Sequence, residues 1–149
     1  MPPAPLGFRI HELGLALRAA YDRDLRPLHL TIAKLGALAA IAREPGVSVA
    51  RLAQEKMVAP QSMAQHVAAL EHEGLVVRTP AAGRGHVLEL RLTAEGSAAL
   101  RRGLRVLGAV EARLWSGLPP QERARFGELL DRHLAACGGE REAAGMPRE

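Results

Sequence analysis

A chain of 149 residues with 48% apolar side chains is long enough to bury one core and too short for two full domains. Its formal charge of +4 and pI near 10.2 lean toward a polyanionic partner, and aromatics at only 3% leave the core to Leu, Ala and Val. A single cysteine, Cys137, excludes an intrachain disulfide and any Cys/His zinc motif, and without an 18-residue apolar run or a secretory leader pattern the chain reads as soluble and cytoplasmic.

Met1–Pro5 reads as a lead. From Leu6 to about Arg26, Leu6, Ile10, Leu13, Leu17 and Tyr21 recur at spacings of four and three, which predicts a helix with one apolar stripe, ended by Pro27. Thr31 is placed to cap a second helix running through Ala42, and Glu44-Pro45-Gly46 breaks it. Val47 reads as a short strand and Ser48 as the cap of a third helix over Val49–Lys56. A fourth helix is expected from Pro60 to Glu73, with Gly74 just past its end where a left-handed residue is wanted. Leu75-Val76-Val77 and Val87–Leu92 read as a hairpin joined through Gly83-Arg84-Gly85-His86, with Leu88, Leu90 and Leu92 on one face. Thr93 caps a long fifth helix, with Glu95 near its positive end. Pro119-Pro120 breaks that helix and starts a sixth, on which Phe126, Leu129, Leu130, His133, Leu134 and Cys137 share a face. Residues 138–149 are polar and read as a disordered tail.

Two short helices with a tight joint, followed by a hairpin with a basic, glycine-flanked tip, are the signature of a winged helix-turn-helix. In that unit the second helix enters the DNA major groove and the tip reaches the backbone or minor groove. The predicted fold is therefore mainly α with a small β wing. Residues 31–92 form the DNA-binding lobe, and residues 6–30 and 93–137 supply the terminal helices. The apolar faces of the first, fifth and sixth helices exceed what the lobe can cover, so two chains burying them against each other is the simplest arrangement. A monomeric helical bundle is the alternative.

Gln61, Ser62 and Gln65 lie in the first two turns of the fourth helix, while Met63, Val67 and Leu70 point inward. Gln pairs bidentately with adenine, and Ser contacts base or phosphate. Ser48 and Arg51 open the third helix, where a phosphate would meet free N–H groups and a guanidinium. Arg84 and His86 are the basic residues of the hairpin tip. Each of these polar groups also has a plain reading as a solvated surface, and Arg78 and Arg91 serve equally well as phosphate contacts or as salt-bridge partners. Catalysis finds no support. No Ser-His-Asp arrangement sits in a nucleophile turn, no phosphate-binding loop follows a strand, and His66 and His72 fall on different helix faces.

The order of elements resembles the MarR family of bacterial transcription regulators, over Leu6 to Cys137. Four segments carry the resemblance: Leu6-Gly-Phe-Arg-Ile-His-Glu-Leu, Leu28-His-Leu-Thr-Ile-Ala-Lys-Leu, Pro60-Gln-Ser-Met with Leu70-Glu-His-Glu-Gly-Leu-Val, and Leu90-Arg-Leu-Thr-Ala-Glu-Gly. The resemblance implies a homodimer on a pseudo-palindromic operator, a repressor's role, and a small aromatic acid bound between the terminal helices and the lobe. Arg18, Tyr21 and His29 are the groups there with carboxylate-pairing or stacking chemistry. They also read, with His11, as ordinary interface and surface residues. No cofactor is implied. The sequence departs from the family pattern at Ala59, where a hydroxyl cap is usual, and at Met57, where a small residue is usual and a positive φ would strain the backbone. Ala64, Gln65 and Ala69 stand where Thr, Arg and Arg are frequent, His66 where Leu is usual, and the wing lacks the frequent Asp-x-Arg. Two other readings stay open: a small-molecule-binding protein on the same scaffold with weakened or lost DNA binding, and a protein–protein adaptor.

Overall fold

A computed structural model describes residues 4–80 and 88–137. Helix α1 (Leu6–Leu25) is followed by a 3₁₀ turn at Arg26–Leu28, so Pro27 redirects the chain without ending all helical structure. Helix α2 (Ile32–Arg43) starts as expected: the Thr31 hydroxyl accepts from Lys34 N–H at 3.2 Å. Helices α3 (Val49–Glu55) and α4 (Pro60–His72) pack against each other as a helix-turn-helix. Strands β1 (Val76–Pro80) and β2 (Leu88–Leu92) pair antiparallel in a register from Val76 opposite Leu92 to Pro80 opposite Leu88. Helix α5 (Ala94–Leu114) and helix α6 (Pro120–Ala136) close the order.

The core lies under the lobe. Leu35, Leu38 and Ile41 of α2, Leu52 of α3, Met63, Val67 and Leu70 of α4, and Leu90 of β2 are all buried. Leu25, Leu30, Ala99 and Leu100 join the same cluster, so the end of α1 and the start of α5 share one continuous core with the lobe. Each fully buried Leu contributes about 1.5–3 kcal/mol of burial free energy.

Two tight joints set the position of the hairpin against the helices. After α4, Gly74 takes φ 72°, and the next amide, Leu75 N–H, donates to Leu70 C=O at 2.8 Å. Thr93 then ties both ends of the hairpin together. Its hydroxyl donates to Gly74 C=O at 2.7 Å and accepts from Gly96 N–H at 2.9 Å, and its own N–H donates to Leu75 C=O at 3.1 Å. A Cβ at position 96 would run into the Leu75 carbonyl, so the Leu-Thr-Ala-Glu-Gly step needs its glycine for close approach.

The structure departs from the sequence reading in several places. Val47 forms no regular strand, but Gly46 N–H donates to Leu90 C=O at 2.9 Å and Leu90 N–H to Val47 C=O at 3.1 Å, so it pins the root of β2 through one pair of bonds. Helix α5 stops at Leu114, well before Pro119, where Trp115 caps it and the Ser116 hydroxyl takes up Arg113 C=O at 2.8 Å. Leu88 is exposed although Leu90 on the same face is buried, because it lies beyond the edge of the core. Helix α4 ends one residue early, with Glu73 as its cap. The tip residues Arg84 and His86 with their flanking glycines, and the tail 138–149, lie outside the described residues. No single helix among the described residues is long and apolar enough to cross a membrane.

Candidate nucleic-acid interface

Helix α4 has two opposed faces. Met63, Val67 and Leu70 press into the lobe, whereas Gln61, Gln65, Ala68 and His72 are exposed. At about 100° per residue the second set falls within a narrow stripe opposite the first. Gln61, Ser62 and Gln65 are all exposed in the first two turns, as the sequence predicts, and Ala68 and His72 extend the same stripe. Those two lie outside the predicted set, and the spacing of four, three and four from Gln61 was the signal that places them on the stripe.

The start of α4 is built unusually. Ala59 offers no side-chain cap, as its lack of a hydroxyl predicts, and Pro60 begins the helix where an N–H would have no partner in any case. Met57 in the preceding turn sits at φ 53°, in the left-handed region that a side chain with a Cβ disfavours by about 1–2 kcal/mol. The end of α4 is anchored by charge. Lys34 Nζ meets the Glu73 carboxylate at 2.5 Å and also reaches His29 C=O at 3.3 Å. Arg78 of β1 meets the Glu71 carboxylate at 2.9 Å. The cations beside the recognition helix are thus engaged in holding it, and α4 itself carries neither Lys nor Arg.

Ser48 caps α3, its hydroxyl accepting from Arg51 N–H at 3.2 Å, and Arg51 is exposed with Glu44 3.6 Å away. The two are adjacent at one helix start, as expected, and the guanidinium already has an acidic neighbour. Arg91 pairs with Glu89 at 3.1 Å and Arg78 with Glu71 at 2.9 Å, so each has the salt-bridge partner that the sequence allows beside a phosphate contact. The Glu55 carboxyl is held below the usual carboxylate range by hydrogen bonding to Arg43, whose own pKa rises in turn.

The residues expected to hold an acid are dispersed in their engagements. Arg18 is exposed and 3.8 Å from Asp22. The Tyr21 hydroxyl donates to the Glu111 carboxylate, which also accepts from Trp115 Nε1 at 2.8 Å, so a carboxylate of the chain already occupies the phenol. His29 is exposed at φ 56°, a conformation His tolerates better than most residues, and its carbonyl serves Lys34. Trp115 packs on Phe126 with ring centroids 5.8 Å apart. Asp24 receives Arg113 at 2.7 Å and Arg23 at 2.8 Å, and the hydrogen bonds from Arg23 and Arg113 lower its pKa.

A helix seated by one face with amides and a hydroxyl on the other, beside a two-stranded wing tied to its exit, defines a winged helix-turn-helix protein. The comparisons with known proteins agree. The family model described as MarR family matches residues 29–85. The HTH-type transcriptional repressor Rv2887 of Mycobacterium tuberculosis is 33% identical over 129 residues, covering 87% of this chain and 93% of that one. The chain belongs to the MarR family of transcriptional regulators. Among solved structures, Rv2887 in complex with salicylic acid matches with a TM-score of 0.73 at 33% identity, over 87% of this chain and 96% of that one. The complex of Rv2887 with DNA matches with a TM-score of 0.74 at 31% identity, over 87% and 98%. The reduced form of MarR from E. coli, 23% identical, shares the fold with a TM-score of 0.81 over 90% of this chain and 99% of that one.

Proposed function

We propose that the protein is a cytoplasmic, ligand-responsive transcriptional repressor that binds a pseudo-palindromic operator as a homodimer. The observation that carries this reading is the outward face of α4: Gln61, Ser62 and Gln65 are exposed, opposite a fully seated apolar face, within an assembled winged lobe. The relative of known structure that forms complexes with DNA and with salicylic acid supports both partners. In the homodimer two copies of α4 enter successive major grooves about 34 Å apart. Ser48 and Arg51 contact phosphate at the start of α3, and Arg84 and His86 contact the backbone from the wing. The exposed Leu104, Leu129 and Leu134 and the exposed first turns of α1 supply the dimer face.

A small aromatic acid is the effector class. Arg18, Tyr21 and His29 are its proposed contacts, and Tyr21 must exchange the Glu111 carboxylate for that of the ligand. The effector shifts DNA affinity only by its differential affinity for the two lobe spacings, typically about 1–3 kcal/mol. Footprinting on the DNA upstream of the protein's own gene, with and without salicylate, tests the whole reading. A protected two-fold site that fades with salicylate is expected; no protection at low salt overturns it. A second reading, a small-molecule-binding protein with weakened DNA binding, draws on the absence of Lys and Arg from α4 and the pairing of Lys34 and Arg78. Salicylate binding without salt-dependent DNA binding would select it.

A further inference from the structure

We propose that α4 reads an A·T core in each operator half-site: Gln61 and Gln65 each pair with an adenine, and Ala68 meets a thymine methyl. This rests on the DNA-binding reading above and specifies its substrate.

The argument starts from which side chains can reach a base edge. Gln61, Gln65 and Ala68 form one exposed stripe directly opposite the buried Met63, Val67 and Leu70. The lobe therefore fixes which way they point, because turning α4 to present other residues would expose three seated apolar side chains. Along the helix, Gln61 and Gln65 are about 6 Å apart and Ala68 about 4.5 Å further on, at 1.5 Å per residue. With base pairs spaced about 3.4 Å apart, the three cover a core of roughly three to four pairs.

The chemistry of that stripe is narrow. The bidentate match for a guanine edge is a guanidinium or ammonium against two acceptors, and α4 carries neither group. Cations beside the helix are already paired: Lys34 is held by Glu73 and by the His29 carbonyl, Arg78 by Glu71, and Lys56 by Glu55. A carboxamide offers one donor and one acceptor side by side, the complement of adenine N7 and N6. A methyl side chain in the groove has one apolar partner on base edges, the thymine C5-methyl group. Two amides and a methyl group over the first turns of the stripe, with His72 a turn further on and no Lys or Arg among them, thus make a reader of A·T pairs.

Selection of duplexes from a random library by the full-length protein is the primary test. Enriched half-sites should contain a core with at least two A·T pairs, and replacing either by G·C should weaken binding roughly 5- to 100-fold. Binding by Gln65→Ala should become indifferent to one of these positions and binding by Gln61→Ala to another, with circular dichroism checking that each exposed-site variant is folded. Replacing the adenine by 7-deazaadenine, which lacks the N7 acceptor, should weaken the unmodified protein but not the matching alanine variant. Uracil in place of the contacted thymine should weaken the unmodified protein but not Ala68→Gly. Gln65→Arg should shift the preference at its position from A·T to G·C. A G·C core at the positions sensitive to Gln61 and Gln65, or sequence preference unaltered in both alanine variants, overturns the proposal while leaving DNA binding intact. Failure to retain any duplex at low salt overturns the DNA-binding reading itself, and the proposal with it.

Discussion

Helices α4 and α6 are both amphipathic, and only α4 has something within its own chain to press against. Met63, Val67 and Leu70 of α4 are buried against α2 and α3. No residue of α6 is buried: Phe126 and Leu130 are half-covered, while Leu129 and Leu134 remain 44% and 52% exposed. An apolar stripe on a helix states that a partner exists but not which chain supplies it. The lobe is complete in one copy, and in the proposed homodimer a second copy completes the α6 face together with exposed Leu104 of α5.

That contrast is broken most sharply by a charge. Leu70→Asp should unfold the chain at every protein concentration, since it buries an unpaired carboxylate among apolar side chains; the milder Leu70→Ala should cost about 2–5 kcal/mol in urea unfolding. Unfolding of Leu70→Ala with less than about 1 kcal/mol of loss would show that α4 is less firmly seated than its burial implies. Leu130→Glu and Leu104→Glu should act differently, shifting sedimentation from dimer to monomer at micromolar concentration while the helical circular dichroism of the lobe persists. A folded monomer for the unmodified chain would remove α6 from the comparison altogether.

Relieving strain at the entrance to α4 is a smaller effect of opposite sign. Met57→Gly should stabilise the lobe by about 1 kcal/mol, less what the glycine adds to unfolded-state freedom, and the gain should appear in thermal unfolding independently of protein concentration. A loss of stability would mean that contacts of the Met57 side chain outweigh its backbone strain. The smallest effect is acid sensitivity. The lobe holds Glu55 beside Arg43, the base holds Asp24 between Arg23 and Arg113, and both carboxyls are lowered by these hydrogen bonds. Because the folded pKa is the lower one, their stabilisation is complete above the ordinary carboxylate range and disappears as pH falls through the lowered values. Melting points of Glu55→Gln and Asp24→Asn should therefore lie slightly below the unmodified protein near neutrality and converge with it in acid. Both pairs are solvated, so the differences should be small; a gap that widens on acidification would reverse the sign.

Local chemistry was legible in the sequence. The caps Thr31, Ser48 and Thr93, the left-handed Gly74, and the inward trio of α4 follow from residue type and a spacing of three or four. Contacts between distant positions were not. Tyr21 and Glu111 are 90 residues apart, Lys34 and Glu73 are 39 apart, and neither pair has a periodic signature. Gly46 and Val47 join β2 by a single pair of hydrogen bonds, too short for an alternating pattern to announce. The outward stripe of α4 was half legible: its two amides declared themselves, and Ala68 and His72 became part of it only once the buried face fixed the helix's rotation.

The joint at Thr93 has a mechanical consequence. Its three hydrogen bonds lock the base of the wing and the exit of α4 to the first turn of α5. Helix α5 has 21 residues, roughly 30 Å of stiff rod at 1.5 Å per residue, and its far end is gripped by α1 through Glu111 and Arg113. Tilting such a lever by about 6° at the gripped end carries the locked end through about 3 Å, the length of one hydrogen bond. A displacement too slight to disturb the packing around Tyr21 is therefore enough to lift an amide of α4 off the base edge proposed for it.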